Sequence, residues 1–210
     1  MSARVALMTG NKVHTLSAQQ LLSCSKASGG CAIGAHPEEA IQFAIKQGLV
    51  RETDLPYSGE ASTCPLIPKD TPRVYARPGS GRSICERLPP VKQEATIARN
   101  VDRMMREISG RGPFCGTLEL TQSIYKYKGG VYKCTKGEKS DGQHAVAIVG
   151  YDTTASTPYW LIQNSWGPNW GERGYIRVAM GQNCSSVEAR ASSVEVDFER
   201  SMLTKNPYSE

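Results

Sequence analysis

The chain of 210 residues has no apolar run of the length a membrane span requires; its best, AVAIVG at 145–150, suits a buried strand. Runs of lysine or arginine are also missing. With basic residues scattered and a net charge of only +5, the composition argues against a nucleic-acid face. No two cysteines form a CxxC pair and only three histidines are present, so the close-spaced ligands of a zinc site are lacking. The first residues, MSARVALMTGNK, hold too short an apolar stretch for a secretory signal and no small-residue cleavage pattern. What remains is a globular chain, 39% hydrophobic, long enough for one large domain or two lobes.

Seven cysteines are present, spread along the chain at 24, 31, 64, 85, 115, 134 and 184. Spread cysteines in loop-rich sequence read as disulfides of an oxidising compartment, and an odd number leaves at least one without an internal partner. Ser17-Ala-Gln-Gln20 has the form of a capping box and opens a short helix. A second helix is expected over 37–47, with Pro37 at its first position, Glu38 and Glu39 against the N-terminal dipole, and Gly48 at its end. From Ser58 to Gln93 repeated prolines exclude long regular elements, and Cys64 and Cys85 suggest a stapled loop. An amphipathic helix follows over 94–109, with Ile97, Val101, Met104 and Ile108 on one face. Beyond Gly112-Pro113 the segments FCGTLEL, GGVYKC, HAVAIVGY, YWLIQNSW and GYIRVAM read as strands. The coarse expectation is α+β: a helical lobe over 1–92 and an antiparallel β lobe over 93–210.

His144 opens one strand and Asn164 follows the next, 20 residues later. Adjacent antiparallel strands joined by a turn at 152–158 would bring the two side chains together. The asparagine oxygen would then fix the tautomer of the imidazole and leave its other nitrogen for a nucleophile. Trp166 and Trp170 would shield that bond. On spacing alone a histidine at a strand start is more often a satisfied edge residue, so both readings stand.

The segments QHAVAIVGY at 143–151 and NSWGPNWGERGY at 164–175 resemble the histidine and asparagine motifs of papain-like cysteine peptidases. LSAQQLLSC at 16–24, GGCAIGAHPEEA at 29–40 and DLPYSGEASTC at 54–64 resemble further family segments in the same order. TPYWL at 157–161, GQNC at 181–184 and the long cysteine-bearing loop lean to the cathepsin B branch. The resemblance implies a papain-like two-lobe fold, a helical lobe and a β-barrel-like lobe with a substrate cleft between them. It makes His144 the general base and acid, Asn164 its orienting residue, and Trp166 the cover of their hydrogen bond. The implied reaction is peptide-bond hydrolysis through a thioester, on a peptide or protein substrate, with no metal or cofactor and no nucleic-acid or membrane partner. A monomer is expected, in a lysosome or vacuole or secreted.

Resemblance also implies disulfides Cys24–Cys64 and Cys134–Cys184. The partner of Cys31 lies in the family's QGxCGSCW motif, and no stretch here matches that motif. SARVALMTGNKVHTLS at 2–17 resembles the later part of the helix that carries it. The chain therefore reads as truncated, missing the start of the central helix, the nucleophile and the oxyanion glutamine, and as inactive alone. The alternative is a non-catalytic relative that binds peptides or proteins in the remnant cleft. In the substrate-binding segment, Ile33 would crowd the cleft and Gly34 would keep part of it. The best match for the base of the S2 pocket is Ala189, which favours apolar side chains; Arg190 in that place would reverse the preference. No histidine lies between His36 and His144, so the paired histidines of the cathepsin B occluding loop are missing and endopeptidase action is expected.

Overall fold

A computed structural model describes residues 1–10, 14–25, 34–60, 62–91 and 93–201. The chain divides into two compact units, Met1–Arg82 together with Val194–Glu210, and Ser83–Ser193. The sequence boundary at 92/93 differs from this division. Ile84 and Cys85 are buried in the core of the second unit, a fact that proline-rich composition does not reveal.

The first unit holds helices α1 (Ser2–Met8), α2 (Ala18–Cys24) and α3 (Pro37–Lys46), with strand β1 (Tyr75–Ala76) paired antiparallel to β9 (Val196–Asp197). Ser17 caps α2, its hydroxyl accepting from the Gln20 N–H at 3.0 Å. The reciprocal half of the expected capping box is not made. The Ser17 N–H donates to the Val50 carbonyl, while the buried Gln20 amide accepts from the Val50 N–H at 2.8 Å and donates to the Gly48 carbonyl at 3.2 Å. Gln19 similarly donates to the Glu60 carbonyl and accepts from the Ser58 N–H. Cys24, the last residue of α2, is bridged to Cys64. Proline begins α3, and the Glu39 carboxylate accepts from the His36 N–H at 3.0 Å. Gly48 has φ +69° and an added Cβ would lie 2.8 Å from the Tyr75 ring, so glycine is required there twice over. A small apolar cluster of Val5, Leu16, Ala44, Leu49, Val74, Ala76 and Val196 completes the unit.

In the second unit α4 (Glu94–Arg111) buries Ile97 and Met104, with Val101 and Ile108 packed alongside, the face that periodicity predicts. Asn100 on the same helix is buried and satisfied, donating to the carbonyls of Glu86 and Glu188 and accepting from the Glu86 N–H. The sheet takes β2 (Arg82–Ser83), β3 (Phe114–Leu120), β4 (Val131–Tyr132), β5 (Gly142–Asp152), β6 (Tyr159–Gln163), β7 (Tyr175–Ala179) and β8 (Ala191–Ser193) in the order β2-β8-β3-β5-β6-β7-β4. The class is α+β as expected. The sheet is open, however, not a closed barrel, and its edge strand β4 runs parallel to β7. Trp160 on β6 is fully buried and its indole N–H donates at 2.9 Å to Glu188, a carboxylate that also accepts from the Gly181 and Asn183 N–H groups. Three N–H donors on one buried carboxyl keep its oxygens satisfied. Cys134 and Cys184 form the second disulfide.

Candidate active site

Strands β5 and β6 form the hairpin that the His–Asn spacing predicts, with Ala147 opposite Gln163. Asn164 therefore stands one residue beyond the pairing and diagonal to His144, within side-chain reach on the same face. His144 Nε2 lies 2.8 Å from Asn164 Oδ1. That oxygen also accepts from the Ser165 N–H at 2.7 Å, and the Asn164 N–H is fixed on the Gly174 carbonyl. An atom that accepts from a backbone N–H is the amide oxygen, so the imidazole must donate to it. The proton is on Nε2, and Nδ1 is left as the basic nitrogen.

Aromatic residues pack in sequence beside the imidazole. Trp166 lies against the His144 ring with centroids 5.1 Å apart. Tyr125, on the short helix α5 (Gln122–Tyr125), stacks on Trp166 at 5.2 Å and 13°. Trp170 meets Trp166 edge-on at 5.0 Å and lies 5.7 Å from the Tyr127 ring, so it backs Trp166. The sequence reading did not include Tyr125; its aromatic type four residues after Thr121 carries no motif. Gly171 makes the tight return possible, since a Cβ there would stand 2.5 Å from the Tyr175 carbonyl. Glu172 then clasps Arg177 and accepts from the Gly130 N–H, and these partners hold its carboxyl below the usual glutamate range.

The described cysteines do not meet the imidazole. Cys24, Cys64, Cys134 and Cys184 are bridged. Cys85, expected in a staple, is instead a buried thiol, pushed up to about 12 by desolvation. Cys115 pairs with Ala147 and so projects from the sheet face opposite to His144, which shares its face with Leu118. Cys31 and Ile33 lie outside the described residues. Gly34 is exposed in the first unit with φ +75°. Ala189 is half-buried in a turn, its N–H donating to the Ser186 carbonyl. No group of three or more metal-ligating side chains occurs among the described residues, and no described helix is long and apolar enough to cross a membrane.

Residues 1–195 match the family described as papain family cysteine protease. Pro-cathepsin H of Bos taurus is 31% identical over 198 residues, covering 91% of this chain and 54% of that protein. Cathepsin B-like cysteine proteinase 4 of Caenorhabditis elegans is 31% identical over 211 residues, covering 89% of this chain and 62% of that one. Among solved structures, proCathepsin B S9 from Trypanosoma congolense superposes with a TM-score of 0.75 at 26% identity, covering 92% of this chain and 65% of that one. The chain thus spans a little over half to under two thirds of the length of these relatives.

Proposed function

Because the chain belongs to the papain family of cysteine proteases, we propose that it serves peptide-bond hydrolysis with His144 as general base and acid, Asn164 as its positioning residue and Trp166 as the cover of their bond. The observation that carries this reading is the 2.8 Å contact of Nε2 with an asparagine oxygen of fixed identity. Nδ1 would take the proton of a cysteine thiol, giving a thiolate and imidazolium. Attack of the thiolate on the peptide carbonyl forms a thioester as the C–N bond breaks, and the imidazolium passes its proton to the leaving amine. Water then cleaves the thioester with the same nitrogen as base.

The thiolate is assigned to none of the described cysteines, because four are bridged, one is buried and one faces away. It belongs in a helix start of the CGSCW kind, which no stretch of the 210 residues matches. Ile33 and Gly34 are assigned to the substrate wall. With no histidine between His36 and His144, endopeptidase action is the reading, and two disulfides favour a lysosomal, vacuolar or secreted setting.

The test compares the 210-residue chain with the same chain extended by the CGSCW-bearing segment of a cathepsin B-like relative, using a fluorogenic peptide and a thiol-directed epoxide. The chain alone is expected to neither cleave nor label. The extended chain should label once and cleave, and His144→Ala should then lower kcat by about 10⁴-fold or more. Cleavage by the chain alone would show that one of its own cysteines serves. A folded extended chain that binds peptide but neither labels nor cleaves would favour the non-catalytic peptide binder.

A further inference from the structure

We propose that the lysine-rich segment 126–139 docks an acidic tract of a protein substrate several residues from its scissile bond, an inference that rests on the reading of His144 as the base. Lys126, Lys128, Lys133, Lys136 and Lys139 put five lysines into 14 residues, and all five are exposed. In KYKGGVYKCTKGEK they are interleaved with glycines and tyrosines, so no run of cations announces them. Tyr127 and Tyr132 are buried, and the lysines beside them are left on the surface. The segment is anchored at separate points. β4 pairs with β7, Cys134 is bridged to Cys184, the Tyr127 hydroxyl donates to the Gly130 carbonyl at 2.6 Å, and the Tyr132 hydroxyl lies 2.7 Å from that of Ser123. An acidic chain would meet lysines on a backbone that is already ordered.

The charge of this surface is not balanced from within. Glu138 accepts from the Ser123 N–H at 2.8 Å and from its hydroxyl, and Asp141 accepts from the Gln122 amide at 2.9 Å. The Ser123 hydrogen bonds, with a smaller pull from Lys126, hold the Glu138 carboxyl below the usual glutamate range, which sets Lys126 near the turn that carries Lys136 and Lys139. Glu172, on the Gly130 N–H, is neutralised by Arg177. Among the described residues none of the five ammonium groups forms an ion pair, whereas Arg99, Arg103, Arg106 and Arg177 of the same unit each meet a carboxylate. Five cations against two anions leave an excess that an outside anion would neutralise.

Position selects the partner. At one end of the segment Tyr125 stacks on Trp166, which lies against the His144 ring; at the other, β5 begins at Gly142 and reaches His144. The chain from Lys139 to His144 spans at most about 17 Å, so an extended peptide with its scissile carbonyl at His144 brings side chains about three to six residues away to the lysines. With Tyr127 and Tyr132 turned inward, this surface offers no platform on which bases would stack. Ammonium groups on flexible stems suit carboxylates distributed along a chain.

Binding tests this without a nucleophile. The full 210-residue chain, isotope-labelled, is titrated with acetyl-Ala-Gly-Gly-Ala-Glu-Glu-Glu-Glu-amide, with acetyl-Glu-Glu-Glu-Glu-Ala-Gly-Gly-Ala-amide, and with the Gln form of each. One of the two Glu peptides should bind about tenfold more tightly than its Gln form and shift both the lysine Nζ and the His144 ring resonances, with the margin shrinking as salt is raised. Replacing Lys126, Lys136 and Lys139 together by Gln should remove the preference, and replacing them by Arg should keep it. Equal binding of Glu and Gln forms would overturn the lysine surface. Equal gain from both orders would show attraction by net charge alone and overturn docking, and lysine shifts without any His144 shift would overturn the link to the site. A heparin-type hexasaccharide that displaces the Glu peptide and binds more tightly would assign the surface to sulfated glycans and overturn the peptide reading. The base assignment is judged separately, by epoxide labelling of the extended chain, and stands if the lysine surface fails.

Discussion

The two units are held together by different means. In the second, the sheet and α4 close over one apolar core containing Trp160, Met104, Leu118, Ile148, Ile162 and Ile176, each at most 1% exposed. In the first, the apolar cluster is small, and much of the cross-linking is polar or covalent: Gln19 and Gln20 to the backbone of 48–60, and Cys24 to Cys64. A sheet with a wet face and a dry face can collect its aliphatic residues by alternation alone. Short helices joined by proline-rich loops cannot, and they depend on individually placed bonds.

The sharpest way to break that contrast is Trp160→Ala. It opens a cavity and leaves the buried Glu188 carboxylate short of a donor, so a loss of about 4–5 kcal/mol is expected in urea unfolding. Less than about 2 kcal/mol would mean the second unit does not depend on its core as argued. Replacing Cys24 and Cys64 by serine should cost about 4 kcal/mol from the 40-residue separation it closes, read as faster hydrogen exchange in α2. Unchanged exchange would leave the glutamine bonds as sufficient cross-links. Gln20→Met keeps the volume but strands the Val50 N–H and the Gly48 carbonyl, with an expected loss of about 1–3 kcal/mol. The smallest effect concerns acid. The Glu172 pKa is depressed by Arg177, so its contribution is complete above the ordinary glutamate pKa of about 4.3 and is lost as pH falls through the lower folded value. Glu172→Gln should flatten that acid limb, at a cost near neutral pH of about 0.5 kcal/mol. An acid limb unchanged by the substitution would remove Glu172 from the account.

Legibility in the sequence follows the same division. The His144–Asn164 pair was readable because a hairpin and a tight aromatic motif fix it locally. The long α4 face was readable from period alone. Gln20 was read as a cap partner, whereas its amide serves residues 28 and 30 positions away, which no local pattern encodes. The parallel β4–β7 pairing rests on only two residues of each strand. The choice between Ala189 and Arg190 was left open by the turn they follow. Asn183, Ser185 and Ser186 all have positive φ, at 48°, 50° and 59°, and this left-handed run absorbs length that side-chain type does not announce. The register of Ala189 and Arg190 could not be counted through it.

The pairing of β1 with β9 joins Tyr75 to Asp197, and Arg200 fastens the same returning segment by donating to the Ile45 and Lys46 carbonyls with its guanidinium 3.9 Å from the Tyr75 ring centre. The second unit is one unbroken stretch of chain; the first is interrupted and resumed. During synthesis from the N-terminus, every residue of the sheet unit has been made once Ser193 is added, while the helical unit must wait for Val194–Ser201 before its own last strand exists. The histidine and its asparagine can thus be in place on the growing chain before the unit that was translated first is able to close.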